Sequence, residues 1–503
     1  MFNTNYSSYW LTATALSRPA HLALIADGEQ YTFAELNGLV EKMAHRLKAV
    51  GIERGTLAAI LLPNCADFVI VIHALARLGA ILIPLNIRLT SDELRWQLEQ
   101  TRCKVLIYGA ATEQTTASLS DVVGVSFAIN AAPNETKFKR RPTPLVGGES
   151  FQMDGIDFNA LQSIVFTSGT TGHPKGAALT WSNHFWSATA SAFRLGLMPD
   201  DRWLCCLPLY HVGGLAIILR ASLYGMTIVL HNGFDLEAIV ESLHQNRVTL
   251  ISLVPTMLYR LLNAEMTFPD SLRLVLLGGA AADSSLIERC QTLNIPVAPT
   301  YGLSEACSQV ATMLPDEAYR KPGSVGKPLT FTSVKIVDEN GASVPTGEYG
   351  EVVVSGSTVF AGYYNNNEAT AKTLRNGELY TGDIGYLDSD GDLWLVQRRS
   401  DLIVSGGENI YPAEIERVLR EHPAVAEVCV VGIPSPEWGQ QVAAAIVLKA
   451  DTKTTSEDLI AYSRQHLAGY KQPRLIKFVD SLPQTASGKI QRHTVSKIFG
   501  EIP

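Results

Sequence analysis

Ser163-Ile164-Val165-Phe166-Thr167-Ser168-Gly169-Thr170-Thr171-Gly172-His173-Pro174-Lys175-Gly176 joins a short apolar run to a stretch of hydroxyls and glycines that closes on a lysine. Ile164-Val165-Phe166 reads as a strand, and Thr167 to Gly176 reads as a phosphate loop. Thr167, Ser168, Thr170 and Thr171 bring hydroxyl donors, Gly169 and Gly172 leave backbone N–H groups accessible, and Lys175 adds a cation; together these can surround a polyphosphate. The Walker arrangement is different: its G-x-x-x-x-G-K-[ST] opens a helix, whereas here Pro174 precedes the lysine and Gly176 comes after it. A Gly/Thr-rich connection with no ligand would account for the glycines, but not for the hydroxyl density or the lysine.

Outward from this strand, hydrophobic patterning alternates between strand and helix. Leu22 to Ala26, Asp27-Gly28 and Gln30 to Thr32 form a hairpin signal, with Asp-Gly supplying the positive φ of a tight turn. Thr32 and Glu35 form a capping box, after which Leu36, Leu39, Val40, Met43 and Leu47 keep helical spacing up to Gly51. Strands at 57–62, 81–84 and 105–108 alternate with helices near 68–78 and after the second capping box at Thr90 and Glu93. Residues 109–159 carry little pattern. Beyond the loop, strands are expected at 204–207, 227–230, 249–253 and 272–277, with helices from Leu215 and at 236–246 and 256–262. Alternation of this kind predicts parallel sheets with helices on both faces.

From Gly323 the pattern changes to short β-runs with tight turns, including Glu339-Asn340-Gly341 and Asp388-Ser389-Asp390-Gly391, and a small β-rich subdomain is expected to end near Arg398. The last hundred residues return to mixed α/β, with helices expected at 412–421 and 457–467. The fold class is therefore α/β: a large N-terminal domain (1–399) of two doubly wound αβα units plus a β-rich subdomain, then a small α+β C-terminal domain (400–503).

The totals exclude several classes. A chain of 503 residues exceeds a single core. Its net charge of -8 argues against a nucleic-acid partner, and the one basic run, Lys137 to Arg141, sits among loop residues. Seven cysteines without a C-x-x-C pair indicate neither a disulfide framework nor a zinc ribbon. The N-terminus lacks a basic region followed by an apolar one, so no signal peptide is expected and the cytoplasm is the expected compartment. Residues 57–87 are the most apolar stretch, but Asp67, Arg77 and two prolines interrupt them, so no transmembrane segment is expected. Homo-oligomerisation is left open.

Three further motifs bear chemistry: Pro299-Thr300-Tyr301-Gly302-Leu303-Ser304-Glu305, Tyr380-Thr381-Gly382-Asp383, and Pro483-Gln484-Thr485-Ala486-Ser487-Gly488-Lys489-Ile490. The first comes after an expected strand at Val297-Ala298, and the C-terminal ends of parallel strands are where open α/β sheets bind ligands. A carboxylate such as Glu305 suits a hard cation, an aromatic face suits a base, and Asp383 can accept from both hydroxyls of a ribose. Without a ligand, Glu305 would be an acid at a helix start, Asp383 would pair with Arg398, and Lys489 would be a solvated turn lysine.

With the T-S-G-T-T-G-x-P-K-G loop, these motifs resemble the adenylate-forming superfamily of acyl-CoA synthetases, peptide-synthetase adenylation domains and luciferases. The resemblance implies that ATP, Mg2+ and coenzyme A are the cofactors and co-substrates and that a small carboxylic acid is the partner. It implies that Thr167, Ser168, Gly169, Thr170, Thr171, Gly172 and Lys175 hold the phosphates, and that Thr300 lies near the α-phosphate. It further implies that Tyr301 stacks on adenine, Glu305 holds Mg2+, Asp383 and Arg398 take the ribose, and Lys489 is catalytic. Ser400 falls at the family's hinge, where Asp or Lys is commoner, so that the C-terminal domain would be mobile. Gly406 and Gly407 would line the pantetheine path. His211, in Pro208-Leu209-Tyr210-His211-Val212-Gly213-Gly214, would stand near the acyl group, with Gly278, Gly279 and Arg220 also lining the acyl pocket.

Finer wording, including Leu85-Asn86-Ile87-Arg88-Leu89, Thr180-Trp181-Ser182-Asn183-His184-Phe185-Trp186-Ser187-Ala188 and Ser405-Gly406-Gly407-Glu408-Asn409-Ile410-Tyr411-Pro412, is similar to the o-succinylbenzoate:CoA ligases of menaquinone or phylloquinone synthesis. That substrate keeps a second carboxylate, which would suit Arg220, the one charged residue between Val212 and Leu230. The alternatives are a ligase for another aryl or aliphatic acid, an adenylation domain loading a carrier protein, and a non-catalytic nucleotide-binding protein.

Overall fold

The computed structural model describes residues 6–7, 9–129, 155–167, 174–264, 266–279, 282, 284–397, 402–450, 452–483 and 490–500. The chain divides into two compact units: Met1–Ile87, Leu98–Val165 and Gly176–Val396 form one; Arg88–Gln97, Phe166–Lys175 and Gln397–Pro503 form the other.

Two sheets organise the first unit. The strand that leads into the loop, Leu161–Thr167, lies in a seven-stranded sheet in the order Gly362–Tyr363, Lys175–Thr180, Leu161–Thr167, Ile81–Pro84, Leu57–Leu61, Val105–Tyr108, Val125–Ala128. Leu57–Leu61 pairs in parallel with both Ile81–Pro84 and Val105–Tyr108. The second sheet has fourteen strands. Its parallel centre comprises Arg202–Cys205, Thr227–Leu230, Leu250–Leu253, Leu274–Leu277 and Val297–Leu303. Thr227–Leu230, Leu250–Leu253 and Leu274–Leu277 are buried at every position, as strands covered on both faces must be. Apolar side chains on both faces result from that placement; each fully buried Leu, Ile or Val contributes roughly 1.5–3 kcal/mol.

Strand pairing settles two placements that the linear reading left open. The hairpin Leu22–Ala26/Glu29–Thr32 does not extend the first sheet; Leu22–Ala26 pairs in parallel with Thr227–Leu230 in the second. Its Asp27 and Gly28 both take positive φ, +54° and +79°, as the turn chemistry requires. The β-rich segment after Gly323 is continuous with the second sheet. Ser324–Pro328 pairs with Ser308–Thr312 on one side and Leu393–Gln397 on the other, so the second sheet runs on through it.

Helix boundaries are set by their caps. The Thr32–Glu35 box is formed at the start of Phe33–Ala49, and Thr90 and Glu93 exchange the same pair of bonds before Ser91–Thr101; each such cap stabilises its helix by about 1 kcal/mol. In the second unit, a five-stranded sheet built on the long antiparallel pair Val425–Ser435 and Gly439–Leu448 packs against Pro412–Arg420 and Ser456–His466. None of the described helices is long and apolar enough to cross a membrane. All seven cysteines are free thiols, and Cys205 and Cys206 are buried.

Candidate active site

The first unit gathers Thr300, Tyr301, Glu305 and Asp383 through strand pairing. Val297–Leu303 runs through the first motif rather than stopping before it, and a short 3-10 turn, Ser304–Ala306, carries Glu305. Tyr301 is 2% exposed, and its hydroxyl donates to Asp383 Oδ2 at 2.5 Å. The residues expected at adenine and at ribose are thus directly bonded, across 82 positions of sequence. Asp383 lies on the long strand Glu378–Leu387. There the Thr381 hydroxyl accepts from the Asp383 N–H at 3.1 Å and donates to the Val352 carbonyl at 2.6 Å, while the Gly382 N–H donates to Glu351 Oε1 at 2.7 Å.

Glu305 is 9% exposed. Its Oε1 accepts from the Tyr363 hydroxyl at 2.6 Å, and its backbone carbonyl accepts from the Phe360 N–H at 2.9 Å. The Asn183 amide ties down the adjoining segment by donating to the carbonyls of Ser357 and Val359. A nearly buried carboxylate with one oxygen oriented by a phenol is a donor that fits Mg2+.

Thr300, partly exposed, donates its hydroxyl to the Ala311 carbonyl at 3.0 Å and lies 2.8 Å from the Thr312 hydroxyl. Gly278 comes directly after Leu274–Leu277, and a Cβ there would come within 2.8 Å of Thr300 Cγ2, so a side chain would push the threonine aside. Gly279 is next, with φ +80°. His211 occupies the N-cap position of Val212–Tyr224, where its side chain makes no capping bond, and meets Tyr210 edge-on at 4.8 Å.

Arg220, the one charged residue of its helix, is met by polar side chains. It is 2% exposed; Nη1 donates to Gln309 Oε1 at 2.8 Å and Nη2 to Ser187 Oγ at 3.0 Å, while Nε is buried without a partner. Among the described residues it forms no ion pair, and burial holds its guanidinium below the usual arginine range. His184 lies in the same polar patch, with Nε2 on Ser163 Oγ and Nδ1 on Cys307 Sγ. Burial, and secondly the Arg220 charge, push it down to about 3, so it is neutral.

In the second unit, Thr167 and Lys175 end and begin the strands either side of the loop, and the Thr167 hydroxyl reaches the Lys175 carbonyl at 3.4 Å. Gly406 and Gly407 form the turn between Ile403–Ser405 and Glu408–Ile410 with φ +57° and +85°, a left-handed pair that glycine adopts without strain. Ser168, Gly169, Thr170, Thr171, Gly172, Arg398, Ser400 and Lys489 lie outside the described residues. The linear reading missed Tyr363, Glu351, Gln309 and Thr312, and it quoted Ser187 in a motif without a role. No motif shows these roles, because each acts on a partner brought close only by the sheets or by helix packing.

A family model for the AMP-binding enzyme matches residues 11–364, and one for the AMP-binding enzyme C-terminal domain matches 414–489. The chain belongs to the AMP-binding enzyme family. It is 42% identical over 486 residues to a 2-succinylbenzoate–CoA ligase of Bacillus licheniformis, covering 96% of this chain and 98% of the relative. Among solved structures, a double mutant of the o-succinylbenzoate CoA synthetase of Bacillus subtilis, bound to the product analogue OSB-NCoA, superposes with a TM-score of 0.90 at 38% identity over 98% of both chains. The same synthetase in complex with ATP and magnesium ion gives 0.74 at 38% identity, covering 97% of this chain and 99% of that one.

Proposed function

We propose that this AMP-binding enzyme joins o-succinylbenzoate to coenzyme A at the expense of ATP, through an acyl-adenylate, releasing AMP and pyrophosphate. The near-full-length identity to a 2-succinylbenzoate–CoA ligase carries the choice of acid. The Tyr301–Asp383 pair and the oriented Glu305 support the nucleotide part of the reading. In the first step a carboxylate oxygen of the acid attacks the α-phosphorus and the P–O bond to pyrophosphate breaks. In the second the CoA sulfur attacks the acyl carbon, loses its proton, and AMP leaves with the bonding pair.

Each residue then has a task. Thr167, Ser168, Gly169, Thr170, Thr171, Gly172 and Lys175 hold the departing β- and γ-phosphates. Thr300 donates to the α-phosphate, Tyr301 lines the adenine, and Asp383 with Arg398 accepts and donates at the ribose. Glu305 is the carboxylate that would hold Mg2+, which when bound offsets phosphate charge. Lys489 donates to the oxygen on which charge grows as the α-phosphorus is attacked, and Ser400 is the hinge that lets it withdraw. Gly406 and Gly407 give the pantetheine arm close passage, and His211, Gly278 and Gly279 line the acyl side. Such an enzyme needs no membrane anchor and would work in the cytoplasm.

The test has two arms. ATP consumption across a panel of aryl and aliphatic acids with CoA should be fastest with o-succinylbenzoate; a better acid in the panel would reassign the substrate. Lys489→Ala should abolish acid-dependent ATP–pyrophosphate exchange while largely sparing thioester formation from supplied acyl-AMP. Equal loss of both would remove Lys489 from the adenylation step.

A further inference from the structure

Arg220 heads an unbroken line of hydrogen bonds that ends on Thr300. Its members are Arg220 Nη1 to Gln309 Oε1 at 2.8 Å, Gln309 Nε2 to Thr312 Oγ1 at 3.0 Å, Thr312 Oγ1 to Thr300 Oγ1 at 2.8 Å, and Thr300 Oγ1 to the Ala311 carbonyl at 3.0 Å. Gln309 and Thr312 are 2% and 0% exposed, so water does not compete for these bonds.

Donor chemistry fixes the direction of every bond. A guanidinium has no acceptor, so the Gln309 amide must turn its oxygen to Arg220 and its NH2 to Thr312. A carbonyl has no proton, so the single Thr300 hydroxyl proton is the one facing Ala311. The bond between the two threonines must then be donated by Thr312. All protons point one way, from a buried cation towards the only partly exposed member of the line. Hydrogen bonds aligned in this sense polarise one another, and a hydroxyl that accepts from such a line is a stronger donor itself.

We propose that Gln309 and Thr312 are positioning residues that hold and polarise the Thr300 hydroxyl for its contact with the transferring phosphate, with Arg220 as the cationic head of the line. A phosphate oxygen takes over the place of the Ala311 carbonyl: the Thr300 proton swings to it, and Thr312 continues to donate to the Thr300 oxygen throughout. This rests on the reading that Thr300 faces the α-phosphate.

Two variants break the line differently. Thr312→Val removes its hydroxyl at nearly constant shape. Gln309→Glu keeps the partner of Arg220 and even adds an ion pair, but presents an acceptor to Thr312, whose proton then turns away from Thr300. Both should lower kcat for ATP–pyrophosphate exchange roughly tenfold, a fraction of the ~10²-fold cost of deleting a transition-state donor outright. KM for the acid should change less than kcat, since Gln309 and Thr312, the two residues substituted, are 2% and 0% exposed. Thr312→Ser should restore the rate, and Gln309→Glu should melt no lower than the parent. Parent-like exchange in both variants overturns the proposal, as does failure of Thr312→Ser to rescue. Thr300→Val separates the underlying reading: if it exchanges at the parent rate, Thr300 does not meet the phosphate and the whole scheme falls. If it is impaired while Thr312→Val and Gln309→Glu are not, the phosphate contact stands and only the positioning role is lost.

Discussion

The side chain that orients Glu305 is a tyrosine 58 positions away, and its bond sets a measurable quantity. Tyr363→Phe removes one hydrogen bond to a nearly buried carboxylate and leaves the charge in place. A bond to a charged group is worth about 1.5 kcal/mol, so the Mg2+ concentration giving half-maximal pyrophosphate exchange should rise roughly tenfold while the rate at saturating Mg2+ changes little. Glu305→Gln removes the charge itself and should cost at least ~10²-fold at any Mg2+ concentration. A Mg2+ titration of both variants checks this; an unchanged midpoint in Tyr363→Phe would leave the tyrosine a packing role. Of this arrangement the sequence showed Glu305, because a carboxylate after Thr-Tyr-Gly-Leu-Ser is a motif. Tyr363 stayed hidden, since nothing in Gly362-Tyr363-Tyr364 says which residue its hydroxyl will meet.

The turn between Glu378–Leu387 and Leu393–Gln397 shows the same limit one level up. Asp388-Ser389-Asp390-Gly391 was readable as a tight turn, and it is one: Asp388 Oδ1 accepts from the N–H groups of Asp390 and Asp392, and Gly391 takes φ +81°. What the letters did not show is why three aspartates crowd there. Lys321, just past the helix Pro315–Arg320, sets its ammonium among Asp388, Asp390 and Asp392 at 2.7, 2.7 and 2.6 Å and balances them as a bound cation would. Burial alone would raise the Asp388 carboxyl, but bonds from Lys321, from the Trp394 indole and from the turn's N–H groups outweigh it and hold it well below the usual range. A depressed folded pKa gives stability that is present above the unfolded value of 3.8 and is lost as pH falls below it. Lys321→Met should therefore lower Tm by a few degrees at pH 7, through repulsion among carboxylates left with Lys327 as their nearby cation, and the deficit should shrink in scans below the carboxylate range. A deficit that does not change with pH would mean that the lysine acts by packing alone.

At the scale of the molecule, local periodicity was enough to announce two parallel sheets, because a strand buried on both faces and a helix with an apolar stripe each leave a signature in their own residues. Which strand neighbours which is not a local property. Leu22–Ala26 joins the second sheet through Thr227–Leu230, a partner some two hundred positions later. The polar groups trapped when such sheets close give the final prediction. His73 bonds to the Tyr9 hydroxyl at 2.5 Å, and His184 bridges Ser163 and Cys307; burial first, and then the charges of Arg77 and Arg220 respectively, push both histidines down to about 3. In the folded chain they are neutral, whereas in the unfolded chain they protonate near 6.5. The unfolded state thus binds more protons below that value, so this contribution to stability is complete above pH 6.5 and drains away as pH falls towards 3. Each histidine can contribute a slope of up to about 1.4 kcal/mol per pH unit in that window. Urea-unfolding midpoints should be level between pH 7.5 and 6.5 and then fall steadily to pH 5, and His184→Gln should flatten the acid limb by removing one of the two groups. A midpoint level down to pH 5 would show that these cavities admit the proton at no cost.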